Sequence, residues 1–202
     1  MNNEILYVLL PEYAAHEAVF LSEAIASDGT AMKEQPKYIN KVVAPTLEPV
    51  SSIGGFHTVP DYSFNTMPDD YAALVLIGGF GWLKPVAEQV EPIVRHAIDH
   101  GKIIGAICNG ASFMAKHGFL NGIKHTGNGL DQLKLWGCDK YTTSDGYIHT
   151  QAVSDNNIVT ANGSATLEFA KELLLLLEND TPEIIEMNYQ FNKQGFCVLF
   201  PG

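Results

Sequence analysis

The stretch Gly105-Ala106-Ile107-Cys108-Asn109-Gly110-Ala111 constrains this chain more than any other. Lys102 to Ile107 reads as a buried strand, being short, apolar and β-branched, and Ala111 to His117 reads as a helix. Only Cys108 and two small neighbours separate them. A strand that becomes a helix within one residue forces the turning residue into a strained backbone conformation. The residues two before and two after it then have to be small. Here they are Ala106 and Gly110, the spacing of a nucleophile elbow. Such an elbow exposes a sulfur at the positive end of the next helix, which favours thiolate and pulls a cysteine pKa below its free value of about 8.5. The competing reading is a buried structural cysteine after a core strand, since free cysteines are commonly buried.

Around this stretch, strand and helix patterns alternate. Ile5–Leu10 is a continuous apolar run followed by Pro11, and Glu17–Ala26 carries helix formers that stop at Asp28-Gly29. Tyr38–Ala44 reads as a second strand, Val50–Val59 as a hairpin or bulged excursion, and Ala73–Ile77 as a buried strand running into Gly78-Gly79. A short turn of helix near Lys84 precedes a helix from about Val90 to His100, with Pro92 tolerated in its first turn. Beyond the elbow, Gly118 and Gly122 bound a loop leading to His125, and Leu130–Leu135 forms a short helix. Tyr147–Val153 and Asn157–Ala161 read as strands joined by a Ser154-Asp155-Asn156 turn. Ser164 is placed to cap a helix to Glu178, Pro182–Phe191 is a last helix, and the tail Phe196–Phe200 is apolar enough to pack back on something. Alternation of this kind implies an α/β fold with a mostly parallel sheet covered on both faces and an active site at the carboxyl rim of its strands. With no repeat, low-complexity segment or linker, residues 1–202 are expected to form a single domain.

Composition narrows the function. A formal net charge of −11 argues against nucleic acid or an anionic membrane as partner, because both need a basic surface. Cys108, Cys138 and Cys197 are spaced too widely for a disulfide framework or a CxxC metal site, and fit a reducing, cytoplasmic compartment. The N-terminus lacks a basic stretch followed by a long apolar run, so no signal peptide is expected, and the apolar run Leu173–Leu177 is far too short to span a bilayer. No HExxH or similar spacing points to a metal, and no cofactor motif is present.

Several groups end at the expected rim. Glu17 opens the first helix; a protonated carboxyl there can hydrogen-bond a thiolate and share one proton with it, although a glutamate in a first helical turn is also favoured simply by the dipole. Gly78-Gly79 leaves backbone N–H groups uncovered, and the Gly79 N–H with that of Asn109 could form an oxyanion hole beside Cys108; a plain turn is the alternative. His125 lies 17 residues after Cys108 on a loop that can fold back, a position for a general base. The other histidines, His16, His57, His96, His100, His117 and His149, have no partner pattern.

The motif Ala106-Ile107-Cys108-Asn109-Gly110-Ala111, the upstream Leu76-Ile77-Gly78-Gly79, Glu17 after a first strand and the closing Asn162-Gly163-Ser164-Ala165-Thr166-Leu167-Glu168-Phe169 resemble the ThiJ/PfpI superfamily. The resemblance covers nearly the whole chain. It implies a class I glutamine amidotransferase-like fold, a flavodoxin-like three-layer sandwich, often assembled as a homodimer. It implies a reactive Cys108, a buried Glu17 partner, backbone donors at Gly79 and Asn109, and a small-molecule substrate, with Gly78 a further candidate for the substrate-binding loop. Members include cysteine peptidases or amidases, glyoxalases, deglycases, chaperones and oxidative-stress sensors. Amidase members carry His directly after the cysteine, where this chain has Asn109, so His125 becomes the candidate base. Trp82, just past the Gly-Gly loop, is either a pocket wall or ordinary core. The resulting expectation is a cysteine-nucleophile hydrolase or amidotransferase-like enzyme acting on a small carbonyl or amide. The alternative is a stress sensor or chaperone whose cysteine is oxidised instead.

Overall fold

In the structure, a computed structural model that describes residues 3–199, the apolar runs become the middle of one sheet. The elements are, in chain order, β1 (Glu4–Val8), α1 (His16–Ala26), β2 (Ile39–Ala44), β3 (Val50–Ser51), β4 (His57–Thr58), β5 (Tyr62–Ser63), β6 (Ala73–Leu76), α2 (Glu91–Asp99), β7 (Ile103–Ile107) and α3 (Asn109–Lys116). There follow α4 (Leu130–Gly137), β8 (Ala152–Asp155), β9 (Ile158–Ala161), α5 (Thr166–Leu176), α6 (Pro182–Gln194) and α7 (Phe196–Leu199). The seven-stranded sheet runs β5-β2-β1-β6-β7-β9-β8. Every pairing in it is parallel except β8 with β9, and β3–β4 forms a separate antiparallel hairpin.

Strand periodicity sorts the core onto two faces. Leu6, Val8, Leu74, Leu76, Ile104 and Ala106 point to the side covered by α2, α3 and α4. Ile5, Tyr7, Ala73, Val75 and Ile107 point to the side covered by α1, α5 and α6. Both faces are dry, which is why the central strands read as continuous apolar runs. On the second face α5 lies flush against the backbone of β7: a Cβ at Gly105 would stand 2.7 Å from Leu173 Cδ1 and 2.8 Å from Phe169 Cζ. This α/β sandwich with a mostly parallel sheet is the architecture expected.

The differences are local. β1 ends at Val8 rather than Leu10, and α3 starts at Asn109, immediately after Cys108. The edge strand β5 is only two residues long, too short for a periodic signal. The strand expected over Tyr147–Val153 shrinks to Ala152–Asp155, because Tyr147 instead bridges to His125 and Ile148 N–H donates to His125 O at 2.8 Å. The β8–β9 turn sits at Asn156-Asn157, both with positive φ (49° and 62°), as a two-residue hairpin loop requires. Ser164 does not cap α5: its hydroxyl donates to Asn162 Oδ1 at 2.7 Å. The tail forms α7, and Phe196 and Val198 remain exposed there instead of packing back, while Phe200 lies outside the described residues.

The elbow depends on the absence of a side chain at Gly110, where a Cβ would meet Leu76 O at 2.5 Å and Leu76 Cβ at 3.1 Å. Gly110→Val should therefore destabilise the protein by about 1–3 kcal/mol through overpacking, read as a fall in Tm of roughly 2–4 °C per kcal/mol at this chain length. An unchanged Tm with intact Cys108 reactivity would contradict a tight elbow.

Candidate active site

Cys108 sits between β7 and α3 with φ 58° and ψ −123°, a sparsely populated conformation costing on the order of 1–3 kcal/mol. Its own N–H donates to Ala161 O at 3.0 Å, so the end of β9 holds the turn in place. The sulfur is half-buried.

Glu17 reaches this sulfur from the first turn of α1. It is 2% exposed, and its Oε2 accepts the Gly78 N–H at 2.7 Å. Its carboxyl faces Cys108 closely enough for each group to shift the other's titration. The approach is possible because two glycines flank the pair. A Cβ at Gly78 would lie 2.5 Å from both Cys108 Cβ and Glu17 Oε2, and one at Gly163 would lie 2.9 Å from Sγ and 3.3 Å from Glu17 Oε1. Gly79 is needed for a further reason: its φ is 131°, and a Cβ there would run into Glu12 O at 2.2 Å.

Asn128 completes the surroundings of the sulfur. Its Nδ2 donates to Sγ at 3.3 Å and its Oδ1 accepts the Gly163 N–H at 2.9 Å. His16 Nε2 lies 3.4 Å from Gly163 O on the outer side of the same loop. No local sequence pattern marks Asn128, and Gly163 stands in the sequence only as part of a helix approach. The available signals were the flanking Gly127 and Gly129, and the position of Gly163 just past the carboxyl end of β9.

Electrostatics differ from the low thiol pKa expected of a helix N-terminus. Burial first, and then the negative charge of Glu17, push the Cys108 thiol up, against donation from Asn128 and from the Asn109 backbone N–H. Burial also pushes the Glu17 carboxyl up, against the Gly78 N–H, the contact with Cys108 and the nearby His16. Both groups thus hold protons more tightly than usual, and removing the first proton leaves one negative charge for the pair to share.

Asn109 is tied down on both sides, its Nδ2 donating to Gly79 O and its Oδ1 accepting from Gln132, each at 2.9 Å. Trp82 is core rather than pocket wall: it is 2% exposed, its indole N–H donates to Ile77 O at 2.6 Å, and its ring packs on Phe113 at 4.8 Å. His125 is not brought into a hydrogen bond with Cys108. It is fully buried, with Nδ1 2.8 Å from Ile123 O and Nε2 2.6 Å from the Tyr141 hydroxyl. Burial holds its pKa below the usual histidine value, keeping it neutral. The Gly-bounded loop does fold inward, but the imidazole is consumed in holding that loop to the Tyr141 segment.

A cleft of about 690 Å³ is lined by Asn128 and Gly163, which both approach Sγ, and by Tyr147, His149, Thr150 and Gln151 among others, while Cys108 and Glu17 lie behind that lining. Among the described residues no cluster of His, Cys, Asp and Glu is suited to a metal ion, and no helix is long and apolar enough to cross a membrane.

The profile of the DJ-1/PfpI family matches residues 5–176, most of the chain. The chain belongs to the DJ-1/PfpI family. A Bacillus subtilis relative, named uncharacterized protease YdeA, is 37% identical over 193 residues, covering 95% of this chain and 91% of its own. A second protein of that organism, named uncharacterized protease YoaZ, is 33% identical over 167 residues, covering 82% and 76%. Among solved structures, a ThiJ/PfpI family protein from Bacillus anthracis superposes with a TM-score of 0.89 at 27% identity, covering 98% of this chain and 93% of its own. A DJ-1 superfamily protein from Agrobacterium tumefaciens gives 0.83 at 31%, covering 96% and 99%. The class I glutamine amidotransferase-like fold of the DJ-1/PfpI family is thus the fold of this chain.

Glu17→Gln keeps an acceptor for the Gly78 N–H and a permanent donor toward Sγ while removing the neighbouring charge. The apparent thiol pKa should therefore fall relative to the parent, as followed by thiolate absorbance. Folded Glu17 has a pKa above its ordinary value of 4.5, so its contribution is full below the ordinary carboxylate range and is lost as pH rises through the elevated value. The parent should lose stability relative to Glu17→Gln over that rise in thermal melts. Identical thiol titrations and parallel stability curves would remove Glu17 from the pair.

Proposed function

We propose that this DJ-1/PfpI family member is an enzyme of hydrolase type in which Cys108 adds to the carbonyl carbon of a small carbonyl or amide compound. The observation that carries this reading is the buried Glu17 carboxyl set against Cys108 between Gly78 and Gly163, with Gly163 and Asn128 in turn lining a substrate-sized cleft. The names of the two Bacillus subtilis relatives, both called proteases, agree with hydrolytic chemistry.

In the first step the sulfur electron pair forms the C–S bond and the carbonyl π pair moves to oxygen. The proton shared by Cys108 and Glu17 ends on that oxygen. An aldehyde gives a hemithioacetal; where a ketone is adjacent, as in methylglyoxal, transfer of the proton on the hemithioacetal carbon to the neighbouring carbon converts it to the thioester of a 2-hydroxy acid, which water hydrolyses to free the thiol. An amide gives a tetrahedral adduct that expels its amine and leaves a thioester for water to hydrolyse. Glu17 acts as the acid and base, the role first assigned from spacing to His125, which we assign to holding the loop. The Gly79 and Asn109 N–H groups are assigned to the developing oxyanion, Asn109 from the uncapped first turn of α3.

One observation favours a second reading. The groups that donate to Sγ, namely Asn128 Nδ2, the Asn109 N–H and a protonated Glu17, would equally hold the oxygens of a cysteine sulfinate. The protein would then be an oxidation sensor.

Steady-state consumption of methylglyoxal and of a chromogenic amide separates the two. We expect turnover by the parent, none by Cys108→Ser, and a loss of about 10²–10⁴-fold in Glu17→Gln. His125→Phe should keep its rate per folded molecule but lose about 1–3 kcal/mol of stability, because the Tyr141 hydroxyl and Ile123 carbonyl lose a buried partner. Activity surviving in Cys108→Ser would refute both readings. A parent inert toward both compounds, with peroxide converting Cys108 to a stable sulfinate, would select the sensor.

A further inference from the structure

The cleft lined by Asn128 and Gly163, the two residues that cover the Cys108 sulfur, has a chemical character that the addition step leaves unused. Its 690 Å³ would hold about twenty waters at ~30 Å³ each, far more than a two- or three-carbon carbonyl compound fills. Among the described residues that line it, none is Lys, Arg, Asp or Glu, in a chain of net charge −11. One wall is built of polar side chains already committed to the protein. Asn128 spans Sγ and the Gly163 N–H, and Asn162 accepts from Ser164 and donates to Gln151 Oε1 at 2.6 Å. That last bond fixes which way the Gln151 amide faces, leaving its Nε2 as the open end. Opposite, the Tyr147 hydroxyl lies 3.3 Å from His149 Nδ1, which leaves His149 Nε2 open. The Thr150 hydroxyl likewise has no protein partner among the described residues.

We propose that this cleft takes an uncharged, hydroxyl-bearing carbonyl compound, such as a short aldose or ketose, with His149, Thr150 and Gln151 as the residues that determine specificity. That the ligand's carbonyl faces Cys108 rests on the function proposed above; recognition of its hydroxyls does not. A hydroxyl both donates and accepts. It therefore matches a row of one amide donor, one hydroxyl and one imidazole nitrogen better than an apolar chain does. A phosphate or carboxylate entering the same cleft would give up water without meeting a cation, against the field of an acidic protein. No sequence pattern gives His149 a partner; in the structure that partner is Tyr147, two residues away, and His149 lines the cleft.

The test is protection of Cys108 from iodoacetamide in the full chain, read by peptide mass spectrometry, with exposed Cys138 as internal reference. Erythritol, an uncharged polyol that cannot react with a thiol, should slow Cys108 labelling saturably. Half-protection is expected at on the order of 10 mM, as befits a small ligand held by a few hydrogen bonds. Cys138 labelling should not change. Erythronate, which carries a carboxylate on the same skeleton, should not protect. Gln151→Leu should weaken erythritol protection by about fivefold, the loss of one such bond. No protection by erythritol, equal protection by erythronate, or undiminished protection in Gln151→Leu would overturn the proposal. Protection as expected, in a parent that consumes no carbonyl compound, would uphold the recognition and defeat only the turnover reading.

Discussion

Everything at the site depends on a contact that leaves no room for a β-carbon. Glu17 and Cys108 come from opposite halves of the sequence, and they meet only because Gly78 and Gly163 present bare backbone to them on either side. A carboxyl and a thiol buried together cannot both ionise without repulsion in a region where water screens poorly. The site therefore keeps a proton between them, and the glycine pair is what makes that arrangement close enough to matter. Helix position alone would have predicted an easily ionised sulfur; packing and the neighbouring acid turn it into a guarded one.

The placement of Glu17 is itself engineered by the backbone just ahead of it. Residues 12–14 are laced on both sides. Glu12 N–H donates to Ser51 O at 2.7 Å and Ile53 N–H to Tyr13 O at 2.9 Å, tying the segment to the β3–β4 hairpin. Ala14 N–H donates to Gly78 O at 2.9 Å and Phe80 N–H to Glu12 O at 3.0 Å, tying it to the Gly-Gly turn. The hairpin, an excursion from the sheet, thus acts as a clamp that sets where α1 begins and hence where its first-turn carboxyl points.

The sequence was most informative where one residue type had few physical alternatives. Cys108 between a β-branched strand and a helix, with Ala106 and Gly110 around it, admits little besides an elbow, and the dry central strands are plain in their unbroken apolar runs. It was least informative where a side chain's partner lies far along the chain. Asn128 reaches Sγ and Gly163 through contacts no local pattern encodes, and His125 looked available because nothing nearby in sequence announces Tyr141 and Ile123 as its partners. Trp82 was ambiguous because an aromatic after a Gly-Gly turn suits either role; its contact with Phe113, thirty-one residues on, together with its bond to Ile77 O, places it in the core. Short edge elements such as β5 carry too few residues for any period to show.

Asn128 has a consequence for how the wall of the cleft behaves. One amide group grips the sulfur with its nitrogen and the Gly163 backbone with its oxygen, so the loop after β9 is anchored through the Cys108 side chain itself. A thiolate accepts a stronger hydrogen bond than a thiol does. Ionisation of Cys108 therefore tightens the grip and stiffens the loop, while protonation or consumption of the sulfur slackens it. The rigidity of this part of the cleft wall follows the charge of the residue behind it, and the wall is most sharply shaped while the sulfur is ionised.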